Sequence, residues 1–63
     1  MTVEKTVETM ITRLTDALGD ASKHDSGNNA AGGRLRKTLQ TIVVDCKTAR
    51  TSIQADRNSR KGA

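Results

Sequence analysis

His24-Asp25-Ser26-Gly27-Asn28-Asn29 is the clear break in this chain, and it separates two stretches that each read as helix. Gly and Asn tolerate the left-handed backbone conformation that ends a helix cleanly. Gly27 or Asn28 is the expected C-cap region of a first helix, and Asn28 or Asn29 the expected N-cap of a second. The reading places a helix over about 3–23, a turn over about 24–29 with Gly27, Asn28 and Gly32 as its residues, a helix over about 30–57, and a basic tail at 58–63.

Upstream of the break, Val3, Val7, Met10, Leu14, Ala17 and Ala21 follow alternating steps of four and three, and Ile11 and Leu18 widen the stripe. That is the helical template. Thr2 is a fair N-cap, Glu4 and Glu8 sit near the positive end of the helix dipole, and Lys23 and His24 near the negative end. Thr6, Thr9, Thr12 and Thr15 each cost a few tenths of a kcal/mol in propensity, so packing must hold this helix. Downstream, Leu35, Leu39, Ile42, Cys46, Ala49 and Ile53 repeat the same stepping, with Val43 beside them. Gly32 and Gly33 weaken the opening turn by about 1 kcal/mol each relative to alanine, and they let another backbone approach closely.

The expected fold is all-α: an antiparallel helical hairpin with arms of about 30 and 42 Å, the second overhanging the first. The chain has 63 residues, no Phe, Trp, Tyr or Pro, and a single cysteine, Cys46. A chain this short buries only about 60% of its unfolded surface. No intramolecular disulfide can form, and Cys46 with His24 cannot supply the four ligands of structural zinc. Self-association remains as the stabilising device. The expectation is a four-helix-bundle type homodimer or larger, with Val7, Met10, Leu14, Leu18, Leu35, Leu39, Ile42, Cys46 and Ile53 as core and oligomer residues.

Charge is distributed unevenly. Residues 1–27 hold three cations against five acids, a net −2, and residues 28–63 hold eight against two, a net +6, which together give the +4 of the whole chain. Such asymmetry points one arm at a polyanion. The expected nucleic-acid-binding residues are Arg34, Arg36, Lys37, Lys47, Arg50, Arg57, Arg60 and Lys61. On a helical wheel these cations surround the exposed surface of the second helix, which suits phosphates repeating along a duplex. The missing aromatic rings remove base stacking as a grip on single strands. Against this stands the ordinary use of surface charge for solubility, and neutralisation of the basic arm by the acidic one.

No catalytic residue, metal or cofactor is expected. His24 lies in the break with no Cys or carboxylate constellation around it, and Cys46 falls on the apolar stripe as a small hydrophobe. Gly27–Gly33 lacks the GKS/T ending of a phosphate-binding loop and a preceding strand. No apolar run approaches the roughly 20 residues of a membrane span. MTVEKTVE lacks the basic-then-apolar order of a signal peptide, and a free cysteine fits a reducing interior, so an intracellular, nucleoid-associated place, or one inside a virus particle, is expected.

The stretch Ser26-Gly27-Asn28-Asn29-Ala30-Ala31-Gly32-Gly33-Arg34-Leu35-Arg36-Lys37 resembles the GN-x-AAG-x-R-x-RK core of the bacterial histone H1-like (Hc1-type) proteins. The aliphatic and basic stretch through Gln54 continues the likeness, and a viral homologue falls within it. The resemblance implies a small basic protein that binds and compacts DNA. It carries Arg34, Arg36 and Lys37 onto the family's basic positions and Gly27, Asn28, Ala30, Ala31 and Gly32 onto its turn. Two departures stand out: Asn29 replaces a common lysine, and a long Lys/Ala-rich tail is missing. The expected function is therefore non-sequence-specific bridging of double-stranded DNA by a folded homo-oligomer. The alternative is a helical adaptor that meets protein partners in a larger assembly such as a virus particle.

Overall fold

The computed structural model describes residues 2–61, and among them are two α-helices and no strand: α1 (Val3–Asp25) and α2 (Asn29–Lys61). The molecule is a rod of 54 × 15 × 14 Å. α1 starts at Thr2, whose Oγ1 accepts from the Lys5 N–H at 3.1 Å, satisfying one of the orphan donors of the first turn. Its threonines stay helical by donating their hydroxyls to carbonyls one turn back, as Thr9 does to Lys5 and Thr15 to Ile11.

The turn is shorter than the sequence indicates, three residues from Ser26 to Asn28. The Gly27 N–H donates to the His24 carbonyl and the Asn28 N–H to the Lys23 carbonyl, at 2.9 and 3.0 Å. This is a Schellman closure, and it needs the left-handed residue that Gly27 supplies at φ 103°. Asn28 then caps α2, its Oδ1 accepting from the Ala31 N–H at 3.0 Å. Two placements change. Gly32, grouped with the turn, lies inside α2. The helix also runs past residue 57 to Lys61, so residues 58–61 are helical rather than a frayed tail, while 62 and 63 lie outside the described residues. No proline or glycine stands between Arg34 and Lys61 to stop it.

The helices are antiparallel, and cross-pairs fix their register: Arg13 binds Asp45, and Arg34 binds Asp20. Val3 then falls near Ser52, and α2 overhangs from about Gln54 onward, roughly 12 Å of helix at 1.5 Å per residue. The facing positions follow strict alternating steps of three and four. They are Val3, Thr6, Met10, Arg13, Ala17 and Asp20 on α1, and Ala31, Leu35, Thr38, Ile42, Asp45, Ala49 and Ser52 on α2, all buried or half-buried. This seam is a heptad pattern in which small and polar residues are interspersed with Val3, Met10, Leu35 and Ile42. The buried ones are Thr6, Ala17, Ala31 and Ala49, with Ala31 at 0% exposure.

The seam takes up part of the expected core and oligomer set. Of the nine residues assigned to it, only Met10, Leu35 and Ile42 face the other helix. Val7, Leu14, Leu18, Leu39, Cys46 and Ile53 are exposed in the hairpin, Leu18 at 71%. Each lies one or more residues off the seam. With the seam at heptad positions a and d, Val7, Leu14, Leu39, Cys46 and Ile53 take e, and Ile11, Leu18 and Val43 take b. In antiparallel helix pairs the e positions of both helices lie on one side. The hairpin therefore has an apolar side, built from both helices.

Gly32 faces the His24 ring: a Cβ added there would sit 2.5 Å from His24 Nδ1. Gly33 points into open space. Gly33→Ala should therefore raise stability by about 0.5–1 kcal/mol through helix propensity alone. Gly27→Ala should lower it by about 1 kcal/mol or more, because an L side chain is strained at that φ. Urea midpoints read by circular dichroism at one fixed protein concentration check both. A Gly33→Ala chain no more stable than its parent would mean that α2 does not begin as described.

Candidate nucleic-acid interface

The seam decides which charges are spent inside the molecule. Arg13 Nη1 donates to Asp45 Oδ2, and the Asp45 side chain keeps only 18% of its surface. Arg34 donates from Nε and Nη2 to Asp20 Oδ1, at 3.2 and 3.1 Å. Lys5 approaches Glu8 at 3.8 Å along α1. Arg34, expected to touch phosphate, thus has its guanidinium committed to Asp20, although its side chain is half-exposed. One basic residue of the family-like motif acts first as a strut.

The outer surface of α2 is different. Its b, c and f heptad positions turn away from α1, and in order they are Arg36, Lys37, Gln40, Val43, Val44, Lys47, Arg50, Thr51, Gln54, Arg57 and Asn58, all exposed. Arg60 is exposed next to them at an e position beyond the end of α1. Among the described residues this surface holds no acid: Asp45 lies in the seam, and Asp56 continues the line of the seam into the overhang. The Lys61 backbone ends α2, and its side chain lies outside the described residues. The cations come in three groups, Arg36/Lys37, Lys47/Arg50 and Arg57/Arg60. From Arg36 to Arg60 the rail runs about 36 Å at 1.5 Å per residue.

Shallow depressions lie between these groups, one lined by Lys47, Arg50, Thr51 and Gln54 and another by Gln54, Arg57, Asn58 and Arg60. The neutral members can donate to phosphate oxygens as well. Gln54 Nε2 already donates to Asn58 Oδ1 at 3.1 Å, which leaves its second N–H free. Sequence reading overlooked Gln40, Thr51, Gln54 and Asn58 because it followed charge alone. For Gln40, Thr51 and Gln54 the available signal was a spacing of three or four from Arg36, Lys37, Lys47, Arg50 or Arg57, and for Asn58 a spacing of four from Gln54.

Among the described residues no group of three or more His, Cys, Asp and Glu is placed to hold a metal, and no helix is long and apolar enough to cross a membrane. The His24 ring lies against Gly32 at the loop end, away from the middle of the rail.

A family model described as histone H1-like protein Hc1 matches residues 4–59, most of the chain. No curated protein and no solved structure matches it.

The two ion pairs differ in burial, and their removal should differ accordingly. Asp45→Ala leaves Arg13 partly buried without its acceptor and should cost about 1–2 kcal/mol. Asp20→Ala, whose partner is half-exposed, should cost under about 1 kcal/mol. Urea denaturation of the two variants compares them directly, and equal losses would mean that the Arg13–Asp45 pair is no more sheltered than a surface pair.

Proposed function

We propose, for a chain that belongs to the histone H1-like Hc1 family, a histone-like role in which the outer surface of α2 grips the phosphate backbone of double-stranded DNA without reading bases. The family is one of structural DNA-binding proteins rather than enzymes. The observation that carries the reading is the rail: six exposed cations, with no acid among the described residues of that surface. Its length is close to one duplex turn of about 34 Å. Phosphates recur along a duplex, so three spaced pairs of cations engage it better than a single cluster would.

Base reading has little support in these residues. The rail contains no aromatic ring to stack and no prearranged bidentate pair. A single rail coats one duplex, whereas bridging two duplexes, or bending one, takes two rails on one unit. The reading therefore includes a homo-oligomer of hairpins, associated with the nucleoid. The alternative, a structural adaptor in an assembly such as a virus particle, draws on the exposed apolar side; it requires that the isolated chain gain helix only when a protein partner is added.

The log–log salt dependence of binding measures the rail. The slope should approach about −0.9 for each phosphate neutralised, and be similar for two unrelated duplexes. Lys47→Gln and Arg50→Gln should each make it shallower by about 1 and weaken binding to both duplexes alike. Asp20→Asn, which releases Arg34, should steepen it. A flat slope, or a strong preference for one duplex, would refute phosphate gripping.

A further inference from the structure

In a single hairpin nothing covers the apolar side. Leu18 is 71% exposed, Val43 63% and Ile11 59%. With Val7, Leu14, Leu39 and Ile53, each 41–49% exposed, they leave an aliphatic flank open along both helices, where a standard stable interface takes roughly 800 Å² per partner. Large contiguous apolar patches mark interaction sites. The intrachain seam fully buries only three alanines and a threonine, a thin core for two helices of this length.

We infer that a second copy of this chain covers the apolar side, with both loops at the same end. α1 of one copy then lies over α2 of the other, and the two α2 overhangs project together as a basic fork.

Two stackings obey two-fold symmetry. An axis across the helices lays α1 on α1 and α2 on α2, with loops at opposite ends. An axis along the helices lays α1 on α2, with loops together. Charge separates them. The b positions that rim the apolar side carry Arg36, Arg50 and Arg57 on α2, but Glu4 and Asp25 on α1. Laying α2 on α2 turns two arginine-bearing rims toward each other. Laying α1 on α2 keeps heights unchanged, and the hairpin register puts Glu4 level with residues near 51, beside the partner's Arg50. The helices as wholes agree, α1 being net −2 and α2 net +6. Complementary potentials of this kind select orientation as well as partner.

The fork deepens the phosphate-gripping reading, because it sets two rails on one unit and aims the overhangs carrying Arg57 and Arg60 at the same duplex. The pairing itself stands on packing and charge and does not require DNA. The test is run without DNA, so its failure leaves phosphate gripping standing, and a failed salt titration leaves the pairing standing.

Sedimentation of the full chain at tens of micromolar should give a dimer. Leu18→Glu, at the most exposed apolar position, should weaken self-association at least tenfold, and Thr15→Glu, exposed on the outer surface of α1, should leave it unchanged. Orientation is read by electron–electron distance measurement on spin-labelled Lys23→Cys and Asn58→Cys, each in a Cys46→Ala background. Loops together predict about 25 Å or less for both labels, whereas the opposite stacking predicts about 35–40 Å for the label at 23 and about 45 Å for that at 58. A monomeric parent chain, the longer distances, or a Leu18→Glu chain that dimerises like its parent would each overturn the inference. The distance measurement keeps every leucine, isoleucine and valine of the apolar side, so it decides the matter even if Leu18→Glu does not fold.

Discussion

The antiparallel pairing of α1 and α2 along one seam is the constraint on which the rest of this structure depends. The fully buried positions of the seam take side chains that are small or hydrogen-bonded. Ala17, Ala31 and Ala49 supply the first condition, and Thr6 meets the second by turning its hydroxyl back to the Thr2 carbonyl. Arg13 with Asp45 and Arg34 with Asp20 fix which residue meets which. Gly27 and Asn28 make the chain reverse within three residues, so the seam begins at once. The seam buries small residues fully and half-buries Val3, Met10, Leu35 and Ile42, and most of the remaining large aliphatic residues lie on its flank. They gather on one side because antiparallel pairing puts like heptad positions together.

The functional surfaces follow from that arrangement. An ordinary hairpin would bury its aliphatic stripe between its own helices and offer charge all round. Here the molecule is layered, with an apolar side, a thin seam, and an outer basic rail along α2. The acids of α2 are kept off the rail, Asp45 in the seam and Asp56 in line with it. A rod 54 Å long and about 15 Å across presents this charge in extended form. Such a shape suits a polyanion better than a compact ligand, and a histone-like family membership agrees with it.

Much of this was legible in the residues. The Gly27-Asn28 break, the Thr2 cap, both helices and the −2/+6 division all follow from local chemistry, and the motif from Ser26 to Lys37 carried the family. The seam was not legible by hydrophobicity. Two stripes run side by side on each helix, one residue apart, and they share Val3, Met10 and Ala17 on α1 and Leu35, Ile42 and Ala49 on α2. Hydrophobic stepping picks the greasier stripe, through Val7, Leu14, Leu39 and Cys46. The packed stripe runs through Thr6, Arg13, Asp20, Thr38 and Asp45. Its signal was the pairing of opposite charges at matching heights, which needs the register of the turn before it can be seen. The same omission placed Arg34 among the free cations. The end of α2 was misjudged because a run of polar residues without a glycine or proline reads as tail, although nothing in it stops a helix.

On the proposed function the sides of this hairpin are separate: the outer surface of α2 meets the polyanion and the apolar side does not. Backbone amide shifts of the labelled chain, followed as a short duplex is added, test it most directly. The account predicts shifts concentrated at Arg36, Lys37, Lys47, Arg50, Thr51, Arg57 and Asn58, with Val7, Ile11 and Leu14 unmoved. Shifts centred on α1, or spread evenly over both helices, would contradict it.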